Sequence, residues 1–308
     1  MNKEPENYCI SCMQVIGAEE KCPFCGFNRK TYIAADGIMQ PDTLFESRYH
    51  VGAAYMNDGM FVSYSAYDKI MKRRVVLRVF GDGSTDYEHF SRRGRFLDTY
   101  KRLALMDMVS FPKVYTCRTF GDGAYAVCEY VSEMKLSQEI ARNGRMSFDD
   151  AKSLLLPVIV TLKLMHDERL VHGCVSADTV RRKDKTMLLC DASGSACDKF
   201  AADDVREFLR LFVAVMYGSP TPVPLEFIKG AFTANNELSL PADALECFVT
   251  AFDSSGIEAT SDYVLRKLYH CGDIALGVKK QPAKPPESVI SYAVSEGVKV
   301  KGLITSLT

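Results

Sequence analysis

The chain has 308 residues, 47% hydrophobic and 25% charged, so it can bury a sizeable core and does not read as an intrinsically disordered segment. Its 38 basic residues balance 39 acidic ones, so no overall field favours nucleic acid or an anionic membrane. No apolar run reaches the roughly 18–20 residues that span a bilayer. The polar stretch after Met1 lacks the apolar core of a secretory signal, which predicts a cytoplasmic protein.

The first element in chain order is chemical. Of the 11 cysteines, four stand before residue 26, as Cys9-Ile-Ser-Cys12 and Cys22-Pro-Phe-Cys25-Gly26. Each C-x2-C turn offers two thiolates, and two such turns complete a tetrahedron around zinc at ~2.3 Å. Gly26 follows where reversal over a metal favours positive φ. Residues 1–28 therefore read as a zinc ribbon. With four sulfur ligands the metal has no open position, so its role is structural. Residues 29–45 read as a linker, and the scattered cysteines read as buried thiols.

From Arg48 the sequence alternates through Gly52 and Tyr55 into a hairpin turn at Asp58-Gly59. Tyr64–Asp68 and Arg74–Phe80 read as the next strands, Tyr87–Leu105 as a helix, and Ala124–Val131 as a strand. Phe148–His166 carries apolar residues at helical spacing (Leu154, Leu155, Val158, Leu162, Met165). A loop follows, Leu170-Val-His172-Gly-Cys174-Val-Ser176-Ala-Asp178-Thr179-Val180, then Leu188-Leu-Cys190-Asp191-Ala192-Ser193 and a helix from Asp204. The basic runs Lys72-Arg73-Arg74 and Arg181-Arg182-Lys183 are expected at solvated turns. Residues 276–308 read as a Pro/Lys linker and a short tail.

In this order and spacing the elements resemble the protein kinase family, from Ser47 to about residue 272. Tyr64–Asp68 and Arg74–Phe80 are similar to the family's second and third strands, the latter in place of V-A-I-K. His172–Thr179 resembles the catalytic loop H-R-D-x-K-x-x-N, and Asp191 stands for the Asp of D-F-G. The resemblance implies an α+β, bilobal kinase-like fold over residues 46–275. The small lobe would cover about 46–130 and the large lobe about 131–275.

The resemblance also shows what chemistry is missing. Met56, Asp58 and Phe61 fall on the three glycines of the phosphate-covering loop, with only Gly59 adding freedom. Arg78 replaces the strand lysine, and its planar fork is not interchangeable with an ammonium. Arg93 falls where the family has the glutamate partner, so two like charges would face each other. Glu88 is the nearest acid. Cys174 occupies the catalytic Asp position, Ser176 the Lys position and Thr179 the magnesium-binding Asn position. A neutral thiol cannot serve as the general base, whose loss alone costs about 10²–10⁴ in rate. His172 and Asp191 alone are retained. Only residues 192–203 separate Asp191 from Asp204, no A-P-E follows, and Ile257 replaces an arginine of the family's D-P-x-x-R-P run.

The expectation is a pseudokinase: no catalytic residues, no use of ATP and magnesium, structural zinc, and binding to a protein partner as scaffold or allosteric regulator. Nucleic acid is not an expected partner. Two other readings stay open, a divergent serine/threonine kinase or other phosphotransferase using Arg78 and Asp191, and a zinc- or thiol-based redox sensor; separately, Cys174 beside His172 is a candidate reactive loop thiol.

Overall fold

The computed structural model describes residues 7–17, 19–81, 83, 85–131, 134–221, 223, 240–252 and 260–269. Ile257 and the 276–308 tail lie outside them. A six-stranded antiparallel sheet comes first, built from β1 (Leu44–Phe45), β2 (Tyr49–Asn57), β3 (Phe61–Asp68), β4 (Arg73–Phe80), β5 (Val114–Phe120) and β6 (Gly123–Glu129). Its spatial order is β1-β2-β3-β4-β6-β5. Strand alternation sorts its side chains. One face carries Tyr64, Ala66, Val75, Leu77 and Tyr125, closed by Phe45, Ile38 and Met39. The other presents Phe61, Phe80 and Ala126 to α1 (Tyr87–Leu103).

Helix α1 begins at Asp86, whose carboxylate accepts from His89 N–H. It buries Phe96, Thr99, Tyr100 and Leu103. Phe96 stacks on Phe61 and Phe80 at centroid distances of 5.8 and 5.9 Å. Aromatic packing thus joins α1 to the sheet.

The larger half contains α2 (Leu136–Asn143), α3 (Phe148–Asp167), the hairpin β7 (Val180–Lys183) and β8 (Thr186–Leu189), α4 (Ala201–Tyr217), α5 (Ala242–Phe252) and α6 (Ser261–Tyr269). Leu155, Val158 and Leu162 of α3 meet Phe208 and Phe212 of α4 and Phe248 of α5 in one core. The periodicity of Phe148–His166 marks this buried stripe.

Two sequence expectations change here. Residues 29–45 are more than a tether: Phe45 pairs with Tyr49 in the first strand of the sheet, and Ile38 and Met39 pack on its outer face. The basic runs are mostly strand residues, because the turns fall at Lys72 and after Lys183. Arg73 and Arg74 lie over the rings of Tyr115 and Tyr130. Arg182 pairs with Glu139, Lys183 with Glu129, and Arg181 points between the two halves.

Candidate functional site

The sulfurs of Cys9, Cys12, Cys22 and Cys25 all lie within 4.8 Å of one another. Cys9–Cys25 and Cys12–Cys22 are each 3.7 Å apart. A tetrahedron with ~2.3 Å metal–sulfur bonds has edges of about 3.8 Å, so the four fit a zinc-sized ion. Each knuckle is closed by a backbone bond, Met13 N to Cys9 O and Gly26 N to Cys22 O. Gly26 has φ +71°, as its position demands, and Met13 takes the same turn at φ +54° despite its side chain. Burial pushes the Cys9 and Cys12 thiols up.

This knuckle is docked against the sheet. Ile10 O accepts from Ala53 N (2.6 Å) and from Ser65 Oγ (2.8 Å). Arg74 donates to Cys12 O and lies over Tyr130, which itself packs on the cysteines.

The crevice between the halves is built around Arg78 and Asp191. Alternation on β4 turns Arg78 inward, where it is fully buried. Its Nε donates to Ala192 O (3.0 Å), Nη1 to Ser63 Oγ (2.8 Å) and Nη2 to Ser193 Oγ (3.0 Å). Ser63 Oγ in turn donates to Asp191 Oδ1 (2.8 Å), which also accepts from Tyr55 (3.0 Å). Burial works against the charge of Arg78, but Tyr100 and Asp191 outweigh it and hold its pKa above the ordinary value. The strand cation is thus bonded to the turn after Asp191 and to β3, in place of a helix carboxylate.

Arg93 is not its neighbour. It is half-buried, donates to Asp122 O and lies over the Phe90 ring. The side chains packed near Arg78 are Phe61, with the guanidinium 4.9 Å from its centroid, and Tyr100, whose hydroxyl donates to Ala192 O. The expected Arg78–Arg93 opposition is absent because the aromatic anchors of α1 seat Tyr100 beside Arg78 and leave Arg93, two turns earlier on the same face, at the β5–β6 turn. Glu88 pairs with Arg92 on the surface.

The hairpin loop differs as well. Phe61 is buried beneath Arg78 and does not overhang the crevice. Asp58 caps the β2–β3 turn, its carboxylate accepting from Met60 and Phe61 N–H. Met56 does face the crevice, its sulfur 3.8 Å from Arg78 Nη1.

Two residues that sequence reasoning missed fill the crevice. Tyr55 reaches Asp191, and Arg181 lies 4.4 Å over its ring. Burial, with Asp191 next, pushes the Tyr55 phenol well above its ordinary range, so it remains a donor. Between them, beside Cys128, Cys190 and Val76, the cavity amounts to about 20 Å³. That accommodates something the size of a water. Arg181 Nε and Nη2 and Asp191 Oδ2 are buried without partners among the described residues. The available signal was position: Arg181 stands two residues after Thr179 on the strand leaving the loop.

The loop itself is a structural unit. Asp204 at the start of α4 accepts from His172 N and Gly173 N, both at 2.7 Å. His172 Nε2 donates to Cys190 O, which leaves Nδ1 to accept from Cys174 N. Burial lowers the His172 pKa to about 4, so the ring is neutral. Thr179 is fully buried, its hydroxyl donating to Cys174 O and accepting from Ser176 N. It is therefore consumed inside the loop. Gly173 is required by crowding, since a Cβ there would lie 2.3 Å from Cys197 Sγ. Residues 194–197 form a 3-10 turn over it, and Asp198 beyond pairs with Arg92 and Arg95 of α1. The short segment after Asp191 is thus a clasp between the halves. Burial pushes the Cys174 thiol up to about 11, away from the reactivity of a redox cysteine.

No protein-family model matches the chain. A probable serine/threonine-protein kinase of Clostridium acetobutylicum is 24% identical over 147 residues, 47% of this chain and 22% of that protein. The match thus spans about a fifth of that relative's length. Among solved structures, the Mycobacterium tuberculosis PknI kinase domain superposes with a TM-score of 0.58 at 15% identity, over 76% of this chain and 99% of that one. Rad53 residues 1–466, solved in complex with AMP-PNP, gives 0.58 at 10% identity over 73% of this chain and 66% of that one. The sheet with its single packed helix, the larger helical half and the Asp204-anchored loop at their junction agree with these matches: the chain has a bilobal protein kinase-like fold, preceded by a four-cysteine cluster.

Proposed function

We propose that this chain is a pseudokinase: a kinase-shaped binding module that scaffolds or allosterically regulates a protein partner and does not transfer phosphate. The observation that carries the reading is the closed crevice, in which Tyr55 and Ser63 donate to Asp191, Arg78 donates to Ser63 and Arg181 lies over the Tyr55 ring. Nucleotide binding would require this network to be broken and its buried charges to find new partners, which is costly. The base position adds to the case, because a thiol held near 11 neither orients a hydroxyl nor takes its proton at neutral pH. On this reading residues 1–28 form a ribbon around structural zinc and residues 46–275 form the kinase-like body. Balanced charge favours a protein partner over nucleic acid.

A divergent kinase is the second reading, favoured by the retained Asp191 and by the relative's name. One pair of measurements separates the two. Purified, zinc-loaded protein is titrated with magnesium–ATP by calorimetry and incubated with γ-labelled ATP and a generic protein substrate. The pseudokinase reading expects no heat of binding and no label. Label transfer that disappears in Asp191→Ala would overturn it.

A further inference from the structure

Strand β2 holds one register with β3 from Tyr49↔Asp68 to Val51↔Ala66, then slips at Ala54↔Tyr64 and again at Met56↔Ser63. Bulges of this kind re-aim side chains and leave backbone N–H groups without ladder partners. Such groups, once enclosed, must be satisfied elsewhere. Here the N-terminal segment satisfies them: Ala53 N–H donates to Ile10 O, and Ala54 N–H donates to the Tyr32 hydroxyl at 3.1 Å. The fit is close. A Cβ on Gly52 would lie 2.2 Å from Met13 Cε and 2.3 Å from Ile10 O. Tyr8 stacks on Tyr67, and Arg74 bonds Cys12 O. The next residue along the slipped segment is Tyr55, which crosses the crevice to Asp191.

We infer that the four-cysteine knuckle is an intramolecular latch: docked on Gly52 and Ala53, it holds the bulged course of β2 and thereby keeps Tyr55 across the crevice, so that occupancy by a zinc-type ion governs closure. The inference rests on the closed-crevice reading above. Ile10 and Met13 lie within or beside the Cys9–Cys12 knuckle, so their carbonyl and side chain are positioned by the fold that the metal enforces. When the metal leaves, Ile10 O loses its fixed place, Ala53 loses its acceptor, and β2 can slide back toward plain pairing. Tyr55 then swings off Asp191 and exposes Cys128 and Cys190, which line the cavity.

The test uses the full chain under reducing conditions, with zinc bound or stripped by a chelator. Amide exchange of the peptide covering residues 52–56, and alkylation of Cys128 and Cys190 mapped by mass spectrometry, are followed together. Stripping zinc is expected to speed both by about tenfold or more while α3 and α4 exchange unchanged, the signature of local opening. Gly52→Val, which displaces the knuckle without touching a ligand, should do the same with zinc still bound; Arg74→Ala should do so more weakly and serves if the valine variant fails to fold. Unchanged rates on zinc removal would overturn the latch. So would equal acceleration across α3 and α4, which would make the knuckle a general stabiliser. Magnesium–ATP binding by the zinc-loaded protein would instead sink the closed-crevice reading, so the two failures are distinct.

Discussion

His172 and Asp204 show how single residues hold the loop that runs from Leu170 to Val180. The folded His172 takes a proton near pH 4, whereas an unfolded histidine does so near 6.5. Between these values the unfolded chain binds more protons, so stability falls as pH drops from about 6.5 to about 4. The full difference is about 3 kcal/mol at 1.36 kcal/mol per pKa unit. Urea titrations across that window should show the slope, and His172→Gln should flatten it. Asp204→Ala removes two charge-assisted acceptors and orphans two buried N–H groups. It should cost about 3 kcal/mol or more by the same measurement. A double-mutant cycle on Tyr55 and Arg181 should return a coupling of about 1–2 kcal/mol, the range for a desolvated cation over a ring. Zero coupling would mean that the two only happen to lie close together.

At the level of elements, the informative case is α1. Its existence is legible from Tyr87–Leu105, but its placement along its own axis is not. Aligning on family positions sets Arg93 against Arg78, whereas the helix brings Tyr100, two turns further along the same face, to Ala192 beside Arg78 and leaves Arg93 at the β5–β6 turn. Once the glutamate that would mark the position is missing, packing against Phe61 and Phe80 sets it. Phe96→Ala should therefore cost about 3–5 kcal/mol, and Arg93→Ala should stay within about 0.5 kcal/mol. Thermal unfolding of both variants decides between the two placements, since the opposite ranking would restore Arg93 to the Arg78 site. Arg181 teaches the same lesson for strands. A run of three basic residues looks solvated, yet alternation on β7 sends one of them into the crevice.

For the whole molecule, the closed crevice predicts how stability responds to ligands. A nucleotide present at a hundred times its dissociation constant would add about 2.7 kcal/mol to folding. Millimolar magnesium–ATP should leave the melting temperature unmoved, while zinc chelation should lower it. The kinase-like order of elements, the four-cysteine set and the presence of a thiol, Cys174, in the loop after His172 are local in the sequence: each depends on residue type at fixed spacing, and each can be read along the chain. The docking of the knuckle on Gly52, the bonding of Arg78 to the Asp191 turn and the meeting of Tyr55 with Arg181 are not. These join residues from 39 to 126 positions apart through bulge register, helix placement and the space left by missing side chains, quantities that exist only once the chain has packed.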